Sequence, residues 1–253
     1  MTTAKWNETR RTKHQPSGFF GRSSSADAIL ALCTGHNSMR EADLYKELGK
    51  LINNRDSWEE NIPFVSSLLT SHSSRIQAKA LWLLGEFGLA FPCAIKEHVS
   101  VIASFLDSTE SILRERSVNA LGRIGRGCYM FVEPYMEKMI PAASDEAANV
   151  RLSFIWASEN IAVNTPEPFE IYMPLFAELL HDTDDRVRME APEIFRVLGR
   201  KNPKYIQPYI GQLLAVSKTD CNRVVRIHCS GAINAAARST PIPQHPCDDS
   251  NVP

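Results

Sequence analysis

The sequence predicts an all-α solenoid of about six stacked helical hairpins, and three features lead to that expectation. A period near 37 residues recurs along the chain. Within each copy, apolar residues fall on one face of a helix rather than alternating as in a strand. Turns rich in Ser and Asp separate the helical stretches at the same spacing.

The period is read from five leading residues, Ile76, Leu113, Val150, Val187 and Val225, separated by 37, 37, 37 and 38 positions. From each, mostly apolar residues follow at offsets 4, 7, 8 and 11, for example Ala80, Leu83, Leu84 and Phe87. This is the buried stripe of an amphipathic helix, the second of each repeat. Offset 4 is small in most copies (Ala80, Ser117, Ala191, Cys229), which lets a neighbouring helix come close. Phe154 is the exception and is expected to push its neighbour outward or fill a gap. Gly85, Gly88, Gly122 and Gly125 follow the same period, so they belong to helix packing and not to a nucleotide-binding loop. Pro192, inside the fourth copy, predicts a kink or an irregular first turn.

A first helix precedes each second one, over 59–70, 96–106, 131–143, 168–181 and 204–217, with Leu68, Phe105, Ala142, Leu179 and Val216 spaced by 37. The turns between the two, such as Ser71 to Ser74 and Asp182 to Asp185, hold residues that cap helix N-termini. Upstream, Ser25–Cys33 and Ser38–Leu51 predict one more, degenerate hairpin over 24–55, as a terminal repeat with one face toward water should be. The organisation expected is a basic tail over 1–23, a solenoid over 24–238, and a Pro-rich tail over 239–253.

Composition narrows the function classes. The chain has 253 residues, 43% hydrophobic and 23% charged, with a formal net charge of -1. That balance gives no global basic field for a polyphosphate. The six cysteines contain no CxxC pair, so neither a zinc ribbon nor a redox pair is expected. No HExxH, nucleophile elbow or phosphate loop occurs, and the seven histidines are scattered. The expectation is a chain without catalytic residues, metal or cofactor. No apolar run spans a membrane and no signal core precedes Phe19, which points to a cytoplasmic protein.

The turn and second-helix residues resemble the HEAT repeat. That family places an Asp in the inter-helix turn and Val-Arg at the start of the second helix. Here Asp145 precedes Val150-Arg151, Asp182 precedes Val187-Arg188, and Asp220 precedes Val225-Arg226, at one spacing. Pro174 also stands eight residues before Asp182, and Pro63 eight before Ser71. The likeness covers roughly 58–238 and implies a right-handed armadillo/HEAT superhelix. It further implies that Asp145, Asp182 and Asp220 with Arg114, Arg151, Arg188 and Arg226 form a structural ladder between repeats, not a nucleic-acid stripe. Ser71 and Gln77 depart from the pattern in the first copy, and Ser108 does in the second.

The candidate contact surface is the column at offset 6, which the packing positions leave out: Trp82, Asn119, Trp156, Glu193 and Gly231. It is expected to border the concave face, with Arg123 and Asn160 beside it. An aromatic ring on a groove anchors a peptide or an unstacked base, although each Trp could equally pack on its neighbours. Nearby charges of both signs, including Lys79, Arg116, Glu159, Glu190 and Arg196, suit a protein partner better than a phosphate track. The function expected is therefore a non-enzymatic protein-binding scaffold. Two alternatives also stand. One is a nucleic-acid binder related to the HEAT-like DNA alkylation-repair glycosylases, with Glu159 imagined as an acid. The other is a protein resembling bilin lyases, whose repeats run shorter than 37.

Overall fold

The computed structural model describes residues 40–238, and among these every regular element is helical. The tails over 1–23 and 239–253, and the helix expected over Ser25–Cys33, lie outside these residues. The second helix of the degenerate hairpin is α1, Glu41–Leu51, which buries Leu48 and Leu51.

The five long second helices are α3 (Ser74–Ala90), α6 (Ser111–Gly127), α8 (Ala148–Ala162), α10 (Asp185–Lys201) and α13 (Arg223–Arg238). Each packs against the next in chain order, as nearest-neighbour stacking requires. The leading residues Ile76, Leu113, Val150, Val187 and Val225 are all buried. One continuous apolar core runs from Leu48 to Ala236, so no single repeat closes its own interior.

The first helices depart from the single stretches that the sequence predicts. After α2 (Trp58–Ser67), each is broken into short α and 3₁₀ pieces. These are α4 (Pro92–Ile95) with α5 (Val99–Ser104), then α7 (Met136–Met139), α9 (Met173–Leu179), and α11 (Pro203–Ile206) with α12 (Ile210–Thr219). Proline explains the breaks: Pro92, Pro134, Pro168, Pro203 and Pro208 each stand in the first turn of a piece, where a missing N–H costs nothing. Pro192 behaves differently from expectation, since α10 runs unbroken through it with Pro192 buried.

Phe154 fills a gap. It is fully buried and stacks on Phe176 of α9, with ring centroids 5.4 Å apart and planes 14° from parallel. Elsewhere glycine sets how closely helices approach. A Cβ on Gly85 would lie 2.8 Å from the Ala120 Cα, and one on Gly122 would overlap the Ala157 backbone. Gly122→Ala is therefore expected to lower stability by about 1–3 kcal/mol, despite the better helix propensity of alanine. Gly231→Ala, where a Cβ would meet nothing within 4 Å, is expected to raise stability by about 0.5–1 kcal/mol. Urea unfolding of both variants checks the opposite signs.

Candidate functional site: the second-helix face

The ladder comes first, because it ties α6, α8 and α10 each to the repeat that follows. Arg114 donates from Nε and Nη2 to both oxygens of Asp145, at 2.6 and 2.8 Å. Arg151 does the same to Asp182, at 2.6 and 2.7 Å. Arg188 reaches Asp220 through Nε at 3.0 Å. In each case Nη1 turns back to its own repeat, for example to the Asp145 carbonyl oxygen at 2.7 Å from Arg151. Arg226 makes only backward bonds, to the Asp220 carbonyl at 2.6 Å and the Cys221 carbonyl at 3.1 Å, and has no aspartate ahead of it among the described residues.

Each aspartate also accepts from a backbone N–H two residues on, as Asp182 does from Asp184 at 2.8 Å. This closes the turn two residues ahead of the helix cap. Burial pushes the Asp182 carboxyl up, but the Arg151 hydrogen bonds and the Asp184 N–H together hold it below the ordinary range. Ser71 and Ser108 keep the backbone bond and lack the carboxylate, so the ladder begins at Arg114. Gln77, where the other copies have Arg, donates instead to the Leu69 carbonyl at 3.0 Å.

The offset-6 column divides into two aromatic positions, two used within the stack, and Gly231, where a Cβ would meet nothing within 4 Å. Trp156 is 41% exposed on α8. Trp82 is half-buried, with Lys79 Nζ 4.1 Å from its ring centroid. Asn119 donates to Ser153 Oγ at 2.9 Å, tying α6 to α8. Glu193 is buried, a correction to its expected place on the open surface, and pairs with Arg196 and with His228 at 3.5 Å. Beside the column, Arg123 reaches back to Glu86 at 2.5 Å, and Asn160 accepts from Arg126 at 3.3 Å. These four polar residues therefore link helices to one another, and the most open residue of the column is Trp156.

Charge along the face is uneven. At its N-terminal end a groove of about 520 Å³ lies between α1, α3 and α6, lined by Tyr45, Arg75, Lys79, Trp82, Ile112 and Arg116 among others. Further along, Glu159, Glu190 and Glu193 gather between α8 and α10. Glu159 stands at the offset that Gly85 and Gly122 hold in earlier repeats. Burial, then the charges of Glu190 and Glu193, push its carboxyl up to about 8 against the opposing pull of Arg196. Its Oε1 is buried without a hydrogen-bond partner among the described residues.

Sequence reasoning missed Tyr45 and Arg75. Tyr45 lies in the degenerate first repeat, outside the five aligned copies, so no second copy marked it as a surface position. Among the described residues no helix is long and apolar enough to cross a membrane.

No family model matches the chain. Transportin-1 of Mus musculus and of Homo sapiens is 30% identical over 114 residues, covering 42% of this chain and 13% of the length of that relative. Among solved structures, a designed armadillo repeat protein in complex with the peptide (KR)4 superposes with a TM-score of 0.59 at 18% identity, covering 85% of this chain and 100% of its own. A mutant of Kap121p gives a TM-score of 0.66 at 16% identity over 83% of this chain and 23% of its own. The complex of CpcE and CpcF of phycocyanin lyase from Nostoc sp. PCC7120 gives 0.52 at 18% identity, over 68% of this chain and 98% of its own. By fold, the chain is an armadillo/HEAT repeat solenoid.

Proposed function

We propose that this chain is a non-enzymatic scaffold that holds a segment of a protein partner along the face of its second helices. The observation that carries the reading is the pair Trp82 and Trp156, two aromatic rings left partly open at one offset on stacked second helices, that of Trp156 held by the Arg151–Asp182 pair. Open aromatic side chains on a rigid element are the usual anchors of a protein interface. The mixed charge around them supports a polypeptide over a phosphate backbone, since Glu41 and Glu115 stand beside Arg75 and Arg116, and Glu190 follows further along the face. The designed armadillo protein bound to a peptide shows that this fold class can serve such a role.

The test is affinity capture with the intact chain and with the Trp82→Ala, Trp156→Ala double variant. The expected result is a protein partner whose recovery falls at least tenfold with the double variant, while the helical signal is unchanged. Equal recovery by both forms would remove this face from the binding reaction.

A further inference from the structure

The N-terminal groove concentrates positive charge among its lining residues, with the nearby carboxylates Glu41, Glu110 and Glu115 outside the lining. Arg75, Lys79 and Arg116 line it, and no acidic residue does. Arg75 has Glu41 at 3.8 Å and Arg116 has Glu115 at 3.6 Å, both long contacts to side chains outside the lining. Lys79 has no carboxylate within 4 Å among the described residues. Its ammonium rests instead between rings, 4.1 Å from the centre of Trp82 and 5.5 Å from that of Tyr45. Arg75 also stacks over the Tyr45 ring, 4.2 Å from its centre. Burial, then the charge of Arg116, lowers the Lys79 pKa, so an ammonium here gains from an arriving anion. Trp82 and Ile112 add an apolar wall beside the three cations.

We propose that this groove is the docking site for an acidic segment of a protein partner. A Glu or Asp carboxylate enters between Lys79, Arg75 and Arg116, and an adjacent apolar side chain lies against Trp82 and Ile112. The inference rests on the reading that the second-helix face takes a protein segment, and it supplies the chemistry and polarity of that segment. Charge complementarity selects the occupant: three cations and no lining acid repel a basic peptide. Glu41 and Glu115, beside Arg75 and Arg116, disfavour a continuous phosphate backbone.

The probes are a fluorescein-labelled (Glu-Leu)4 peptide, its (Lys-Leu)4 counterpart and a labelled ten-residue oligothymidine, each titrated against the chain by fluorescence anisotropy. The (Glu-Leu)4 peptide is expected to bind, and the other two to bind at least tenfold more weakly. Lys79→Glu is expected to weaken (Glu-Leu)4 at least tenfold. The neutral Lys79→Met should weaken it less, and Ile171→Ala, at a 72% exposed position off this face, should leave it within twofold. Lys79 is half-exposed, so these variants are expected to unfold at the wild-type temperature, which circular dichroism verifies.

The proposal is overturned if (Glu-Leu)4 does not bind, if Lys79→Glu leaves its affinity within twofold, or if the lysine peptide or the oligothymidine binds more tightly. If protein capture still depends on Trp82 and Trp156 under any of those outcomes, the scaffold reading stands and only the acidic assignment falls.

Discussion

Replacing Arg151 by alanine is expected to lower the unfolding free energy by about 3 kcal/mol, the range for breaking one partner out of a buried ion pair. Arg151 and Asp182 are 13% and 7% exposed at their side chains, so water replaces little of what is lost. The variant strands the Asp182 carboxylate and removes the donor from the Asp145 carbonyl. Lysine is not an adequate substitute, since a single ammonium cannot serve two carboxylate oxygens and a carbonyl in one plane. Arg226→Ala is expected to cost about 1 kcal/mol, because Arg226 holds only carbonyl oxygens of its own turn.

The effect at Arg151 also depends on pH. The Asp182 carboxyl is held below its ordinary value of 3.8 in the folded chain. Its contribution is thus complete at neutral pH and is lost as pH falls through the folded value. The gap between wild type and Arg151→Ala is expected to narrow below about pH 4. A gap under about 0.5 kcal/mol at pH 7 would show the ladder to be a surface ornament of the kind exposed ion pairs often are.

The second large effect concerns Glu159 and has the opposite sign. Its carboxyl titrates near 8 in the folded chain against 4.5 as the ordinary value. Between those values the folded state holds a proton that the unfolded state has released. Stability from this group is therefore full below pH 4.5 and falls as pH rises toward 8, by up to about 1.4 kcal/mol per pH unit. Glu159→Gln keeps the shape and carries no charge. Its unfolding free energy is expected to exceed that of the wild type by a few kcal/mol at pH 8 and to match it near pH 4. Parallel pH profiles for the two chains would mean that Glu159 is ionised and solvated in the folded state.

How much of this was legible in the sequence follows from where each feature gets its signal. The second helices were readable because their leading residue recurs with a buried stripe behind it, and Ile76 through Val225 all enter the core. The first helices were blurred. Their prolines sit at first-turn positions of short pieces, and a periodic apolar pattern such as Leu68 to Val216 does not mark such breaks. Pro192 misled for the converse reason: a proline ring inside a long, well-packed helix was accommodated without ending it.

At the site, periodicity located the column but not exposure. Trp156 and Glu193 share one offset, yet one is open and the other buried. The difference arises from neighbours two helices wide, since Glu193 meets His228 and Arg196. Tyr45 joins the basic groove only through three-dimensional contact with Arg75 and Lys79, which no repeat count encodes.

The most direct test of the scaffold account is site-specific photo-crosslinking in the intact chain. The crosslinking residue is placed at position 82 or 156 on the second-helix face, and at 130 or 171 elsewhere, where Met130 and Ile171 are 70% and 72% exposed. The account predicts protein adducts from 82 and 156 and none from 130 or 171. Adducts confined to 130 and 171, or nucleic-acid adducts from 156, would contradict it.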